Sequence, residues 1–510
     1  MFKFTTVFCI VLLLMGSAFA QITTSVVADP IVNGGAMYYN HGSHVARTSD
    51  GQLFVVWADP DANGQVVYSK YDDVFLTWSP AVAISNNPAG GTADKAAMAA
   101  DDNGNIYVVW QQRPDGASNY AIMLSKYNGS TWSTPADISG STLTNEEANV
   151  AVSNDAKVFV VWNTDSESDG DEWILCVRSD DAGTTWSSPP DTLSSPDGLI
   201  GGTSIEAARV NLARGSGGKM VATWFETQTV DDIFMNQFDG SQWSGEMVVT
   251  DTSTVNNRYS WAALDNSDNI NIVWRGRISG EYGLQIKHKA WSDLSWPGVY
   301  DTVVDSGFGA TRPTMVIDNN ENLFVAYQGF VLGGTIDEIA LVTSTDGGAT
   351  WSNQHTLSRA DHDGGYQGMD PRVTSSGIDM AWREGYLINL DDPDSLAIVY
   401  GHVDLSIVGL EDLQPQVIDK FELAQNYPNP FNPTTQIKYS VNKLGNYELA
   451  VYNLLGEKVR TLISSQLSPG TYSIDWDGKN EFGKAVASGI YFYKLSGKDL
   501  SVIKKMALIR

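Results

Sequence analysis

The sequence predicts an all-β protein, a seven-bladed β-propeller followed by a small β-sandwich, and three observations carry that expectation. A segment of the form GQLFVVW recurs seven times, ending at Trp57, Trp110, Trp162, Trp224, Trp274, Tyr327 and Trp382, with gaps of 53, 52, 62, 50, 53 and 55 residues. Spacing of this order, with four short strands per unit, is the signature of propeller blades. The charge also divides the chain. The 510 residues carry a net charge of -28, yet residues 421–510 hold 11 basic and 7 acidic residues while 21–420 hold 20 basic and 53 acidic. A sign change near residue 420 marks a domain boundary, and so acidic a body repels phosphate backbones, which excludes nucleic acid as its partner.

Taken in chain order, the first element is a leader. Lys3, the apolar run Val7 to Met15 and Ala18-Phe19-Ala20 before Gln21 have the charged, apolar and small-residue order of a cleavable signal peptide over 1–20. The expected cut lies between Ala20 and Gln21. The apolar run is shorter than the roughly 20 residues that span a bilayer, so no transmembrane segment is expected in the mature chain. Cys9 leaves with the leader and Cys176 remains, so no internal disulfide is available and core burial must supply the stability.

The propeller is expected over 21–408. Each aromatic-ended strand is preceded across a tight turn by a shorter one, as in Ala97-Met98-Ala99-Ala100 before DDNGN, and followed by a third, such as AIMLSKY after Trp110. A fourth is predicted to begin at Trp78, Trp132, Trp186, Trp243, Trp296 and Trp351. The two positions account for twelve of the sixteen tryptophans, which act as apolar spacers between blades. The seventh repeat lacks its fourth strand, whereas Thr24 to Val32 resembles WSPAVAIS. This N-terminal strand is therefore expected to complete the last blade and leave no exposed edge. The alternative is a six-bladed ring with one degenerate repeat.

Between third and fourth strands, Ser179-Asp180-Asp181-Ala182-Gly183-Thr184-Thr185-Trp186 and Ser344-Thr345-Asp346-Gly347-Gly348-Ala349-Thr350-Trp351 both fit S-x-D-x-G-x-T-W. Ser and Asp oxygens can bond turn N–H groups, Gly takes positive φ, and Trp anchors the turn. This pattern resembles the Asp-box, or BNR repeat, of sialidase-like propellers, over roughly residues 22–408. In that family the turns are structural. The resemblance to a sialidase also implies an Arg-Ile-Pro near the first blade, which reads His44-Val45-Ala46-Arg47 here; the nearest echo is Thr311-Arg312-Pro313. A glycosidase needs two carboxylates at a set separation, and acidic residues are too plentiful for the sequence to choose a pair.

Turns and Asp-boxes share one rim of such a fold. The other rim collects residues at the starts of the innermost strands, His44, Lys95, Glu147, Arg209, Arg258, Arg312 and Arg372, and those after the repeat aromatics, Asp59, Arg113, Asp165, Glu226, Arg275, Arg277 and Glu384. Arg209, Arg258, Arg312, Arg372, Glu226 and Arg275 are the candidate ligand-binding residues, because guanidinium groups fork onto carboxylate or sulfate. The competing expectation is an arginine–acid network tying blades together. His362, in a loop from Asp361 to Tyr366, is a candidate for acid–base chemistry. Turns such as DDNGN, DNSDN and DNNEN have D-x-[NS]-x-N spacing suited to Ca²⁺ but lack the closing Glu. No cofactor is expected beyond that Ca²⁺ option, and no other metal site.

A polar linker is expected over 409–420, and short strands around 436–441, 446–453, 458–463, 470–476, 489–496 and 502–508 read as a β-sandwich. YPNPFNPTT (427–435), VYNLLGEKV (451–459), WDGKN (476–480), SGIYFYKL (488–495) and KKMALIR (504–510) resemble the C-terminal sorting domains of type IX secretion cargo, which are similar to the Ig-like module of flagellar hook-capping proteins. The resemblance implies that 421–510 is read by an outer-membrane translocon, and that the protein reaches the cell surface or medium of a Gram-negative bacterium through the periplasm. The functional expectation is an exported propeller that binds glycans or other extracellular polymers. A glycoside hydrolase or lyase using the arginine-rich rim is the alternative, and a structural adhesin a third.

Overall fold

The computed structural model describes residues 22–32, 42–59, 64–404 and 422–509, apart from short internal segments of which 166–171, 195–205, 331–336 and 387–394 are the longest. The leader, its Ala20/Gln21 boundary and the 409–420 linker lie outside the described residues. The chain divides into two compact units, with the principal boundary at Pro415/Gln416.

The first unit is all β. Seven antiparallel sheets follow one another along the chain, with inner strands Val45–Arg47, Thr92–Ala100, Asn145–Val152, Glu206–Arg214, Arg258–Leu264, Thr311–Ile317 and His362–Met369. Each inner strand packs against the next, and the first meets the seventh sheet through Ile378–Tyr386, so the seven sheets form a closed circuit. Ile22–Val32 is the outer strand of the seventh sheet, beside Ser395–Val403.

The second strands explain the repeat. Leu53–Asp59, Ile106–Arg113, Val158–Asp165 and their equivalents are buried almost throughout, since a blade's middle strand faces a neighbouring blade on both sides. Trp162 packs with Tyr107, Val109 and Val150 between the second and third sheets, and Trp224 with Phe159, Cys176 and Val210 between the third and fourth. A buried indole N–H needs an acceptor. Trp110, Trp224 and Trp382 donate to the residue two places on, Gln112, Glu226 and Glu384, at 2.8–2.9 Å. Trp162 and Trp274 use Asn145 and Asn257 at 2.8 and 3.0 Å.

Two expectations are corrected. In the first sheet Thr77–Trp78 does pair as an outer strand, but in sheets two to five the fourth strands do not begin at the tryptophans: Ala136–Asp137, Asp191–Thr192, Met247–Val248 and Asp301–Val304 start four or five residues later and are short. Trp132 and Trp243 instead form isolated bridges to Tyr127 and Phe238. Short outer strands limit edge-to-edge pairing. Secondly, the supposed loop around His362 is the inner strand of the seventh sheet, with His362 opposite Tyr386 and Gly365 opposite Arg383. Its sequence, HDGGYQGM, has no β-branched residue, so only tertiary pairing makes it a strand.

Hairpins close each blade in a repeated way. Asp101 Oδ1 accepts from the N–H of Asn103 and Asn105, and Asp265 and Asp318 do the same for Ser267/Asn269 and Asn320/Asn322, all at 2.8–2.9 Å. These carboxylates serve their own turns. In the S-x-D-x-G-x-T-W segments, Gly183 N and Gly348 N donate to Ser179 and Ser344 at 2.7 and 2.8 Å. Asp181 accepts from Thr185 N at 2.7 Å and Asp346 from Thr350 N at 2.8 Å. Trp186 and Trp351 pack onto the inter-blade cores. Gly348 has φ +94, and a Cβ there would lie 2.9 Å from His288 Nε2 of the preceding sheet, so the glycine answers to both backbone and neighbour.

The second unit is a sandwich of a three-stranded sheet (Glu422–Leu423, Thr435–Val441, Gly470–Trp476) and a four-stranded one (Lys458–Leu467, Gly445–Tyr452, Gly489–Ser496, Ser501–Leu508). Leu423, Ile437, Leu449, Trp476, Tyr493 and Met506 form its core.

Candidate functional site

Every fully described inner strand from the second sheet to the sixth is interrupted by a bulge, between Asp94/Ala97, Glu146/Asn149, Ala208/Asn211, Arg258/Trp261 and Thr311/Thr314. Within each bulge one non-glycine residue takes a left-handed backbone: Lys95 (φ 51), Glu147 (φ 56), Arg209 (φ 62), Tyr259 (φ 58) and Arg312 (φ 50). Such a conformation costs about 1–3 kcal/mol per residue and gathers at functional sites. The bulge frees these side chains from the ladder, and those of neighbouring sheets meet at the mouth of the central channel that a ring of blades encloses. The seventh inner strand repeats the bulge between Gly365 and Gly368.

The ring so formed has two electrostatic halves. In sheets two to four the charges are paired. Arg209 is ion-paired with Glu147, whose Oε1 also lies 3.2 Å from Lys95 Nζ, and Lys95 reaches Glu146 at 2.9 Å. In the fifth sheet Arg258 is paired likewise, with Asp231, and Arg275 is set apart from that pairing, among aromatic rings. Arg275 Cζ stands 4.6 Å from the Tyr259 ring centroid and 4.3 Å from that of Tyr282, while Arg312 Cζ lies 5.3 Å from Tyr259 on its way to Gln328 Oε1 at 2.9 Å. Arg277 stacks on Tyr282 at 5.2 Å. Among the described residues, Arg275 contacts no carboxylate, and its buried Nε has no hydrogen-bond partner. Burial, together with the charges of Arg258 and Arg312, lowers its proton affinity. Tyr282 is pulled the same way, its phenol lowered by a hydrogen bond from Arg277 and by the fields of Arg275, Arg277 and Arg258.

Of the six ligand-binding candidates, the fold brings Arg258, Arg275 and Arg312 together. Arg258 is held by the buried Asp231 of the fourth sheet and stacks 4.9 Å from Phe225. Arg209 sits in the paired half. Glu226 turns into its blade, where it accepts from Trp224 and shares a hydrogen bond with Glu246; burial and that second carboxyl push it up to about 8. Arg372 does not begin an inner strand. It follows His362–Met369, at the hairpin end of the seventh sheet, bound to Asp370 at 3.0 Å. The strand begins ten residues earlier than the sequence suggested, which carries Arg372 to the other rim. The His362 side chain lies outside the described ones.

Tyr259 and Tyr282 were not singled out from the sequence. A one-residue signal existed for Tyr259, since it follows Arg258 directly; the bulge, not the run of apolar residues, decides which of the two turns inward. No group of three or more His, Cys, Asp or Glu side chains suited to a metal occurs among the described residues, and no helix there is long and apolar enough to cross a membrane.

The C-terminal unit matches the FlgD Ig-like domain over residues 434–501. No curated protein matches the chain. Among solved structures, a polysaccharide lyase of family PL25, an ulvan lyase bound to -[GlcA(1-4)Rha3S]-, is similar with a TM-score of 0.54 and 13% identity, covering 76% of this chain and 96% of that one. The polysaccharide lyase Uly1 is similar with a TM-score of 0.51 and 10% identity, covering 75% and 99%. An α-L-arabinanase of Penicillium chrysogenum, complexed with arabinobiose, has a TM-score of 0.43 and 13% identity over 64% and 98%. At these identities the two lyases share a fold with this chain, a propeller that is followed here by an FlgD Ig-like domain.

Proposed function

We propose that the propeller takes an acidic polysaccharide at the channel mouth of sheets five and six and cleaves it by β-elimination. The observation that carries this reading is the Arg275 guanidinium, lodged between two tyrosine rings and, among the described residues, without a carboxylate partner, in a protein of net charge -28. A fixed, partly desolvated guanidinium is a ready partner for a uronate carboxylate, and its charge stabilises the carbanion-like state formed when the proton at C5 is removed. Tyr282, its phenol lowered by the surrounding arginines, takes that proton as phenolate. The electron pair forms the C4=C5 bond, the C4–O bond breaks, and the departing oxygen takes a proton from the Tyr259 phenol. That both lyases of similar fold act on polysaccharides, one of them on a chain containing GlcA, supports this reading. The test is incubation with a panel of acidic polysaccharides, ulvan included, followed by ultraviolet detection of an unsaturated uronate. Binding without that product assigns the mouth to a glycan-binding protein instead.

The same proposal places the protein outside the cell. The leader-like 1–20 and the sorting-domain resemblance of 421–510 support export by the type IX route, with the translocon as a partner.

A further inference from the structure

The opposite rim carries a second cleft. It opens between the fifth and sixth sheets with a volume of about 680 Å³ and is lined by Asp265, His288, Leu294, Ser295, Trp296 and Glu321, among others. Its size lies within the range of small-ligand sites. Beside it, Asn266 Nδ2 of one hairpin donates to Asn319 O of the next at 3.0 Å.

Its outer wall is the one third-to-fourth-strand connection that departs furthest from the S-x-D-x-G-x-T-W turn. Residues 290–300 read AWSDLSWPGVY, and the fourth strand starts only at Asp301. The loop leaves Leu294 91%, Val299 78% and Tyr300 48% exposed, three of the five large apolar side chains exposed among the described propeller residues. Trp296 packs on the blade core with one part of its ring system, and its buried Nε1 has no hydrogen-bond partner. His288 directs Nδ1 at Asn271 Oδ1 and leaves Nε2 without a partner.

Charge narrows the ligand class. The lining holds Asp265, Asp293 and Glu321 against a single cation, Lys289. That ammonium is already engaged, by Asp293 O at 2.7 Å and Gln237 Oε1 at 3.3 Å. An acidic polymer is repelled here; with Asp265 and Asp293 engaged by their own turns, Glu321 and the Ser295 hydroxyl are the groups suited to sugar hydroxyls, and Leu294 with Trp296 suits the C–H face of a pyranose.

From this juxtaposition we infer that the cleft binds an uncharged glycan chain, separately from whatever occupies the channel mouth. The test is calorimetric titration of the full chain with neutral hexasaccharides, namely cellohexaose, xylohexaose and mannohexaose. At least one is expected to bind, with Kd raised tenfold or more by Trp296→Ala and several-fold by Glu321→Gln. The exposed Glu321 keeps the test independent of folding, and Arg275→Ala should leave this affinity unchanged. Absence of binding by all three sugars overturns the proposal, as does binding that survives both substitutions or that an acidic polysaccharide abolishes. Loss of the mouth activity in Arg275→Ala with neutral-sugar binding intact separates the two sites.

Discussion

Arg47 and Asp379 join the first sheet to the seventh through a two-pronged ion pair, Nε to Oδ2 at 2.6 Å and Nη2 to Oδ1 at 2.9 Å. Tyr400 and His402 add hydrogen bonds to the same carboxylate, at 2.6 and 2.8 Å. The seam of the ring thus rests on a buried carboxylate that is fully partnered. Asp379→Ala leaves the guanidinium unpaired and should cost about 3–5 kcal/mol, read as a lower denaturant midpoint. These bonds hold the Asp379 carboxyl far below its usual range. Its contribution is complete above an unfolded value of about 3.9 and is lost as pH falls below that toward the lower folded value. Acid unfolding should therefore begin at higher pH in Arg47→Ala than in the parent.

Glu226 should behave in the opposite sense. Its folded pKa is raised to about 8, so the native state holds a proton that the unfolded state gives up near 4.5. Stability then falls as pH rises through that interval. Glu226→Gln removes the dependence, and its melting temperature should exceed the parent's at pH 8.5 while matching it near pH 4.

Arg209 and Arg275 should separate by readout. Removing Arg209 strands part of a Glu147 carboxylate that is 7% exposed, and stability should drop by about 1–3 kcal/mol, with Lys95 limiting the loss. Removing Arg275 strands no carboxylate. Arg275→Ala should melt with the parent yet bind an acidic polysaccharide about 2–5 kcal/mol more weakly, and Tyr282→Phe should slow elimination by about 10²–10⁴. Equal melting and equal binding in both arginine variants would reject the division of the ring.

At Gly348 the sequence pattern has a packing cause. Gly348→Ala must adopt φ +94 and displace His288, a cost of about 1–3 kcal/mol measurable by thermal melting, without effect on the channel mouth on the far side of the blade.

Deleting 421–510 should leave a folded propeller, since the seven sheets draw their inner three strands from residues 45–403. Fractionation should find it in the periplasm; equal amounts of truncated and full-length protein in the medium would refute the export role.

The seven repeats were legible because a middle strand buried on both sides must be apolar along its whole length, which makes GQLFVVW and its relatives conspicuous. The sandwich strands were legible from a different signal, alternation between buried and outward residues, as in Gly489–Ser496. The inner strands were not. They border the channel and can be as plain as HDGGYQGM, so the seventh was placed too late and Arg372 with it. A bulge has no composition signal either: whether Arg258 or Tyr259 turns inward depends on one extra residue in the ladder. Arg275 was found from its place after Trp274, but its aromatic housing needed Tyr282, which comes from the next strand.

The bulges have a consequence for how such a protein can change over generations. Lys95, Glu147, Arg209, Tyr259 and Arg312 stand at equivalent places yet range from cation to carboxylate to phenol, while the residues that follow four of them, Ala96, Ala148, Val210 and Ser260, are buried. On the proposed function, recognition is thereby written at positions that the ladder does not read. On that reading a lineage can exchange one of these letters, and with it the preferred polymer, without renegotiating the core that holds the ring together.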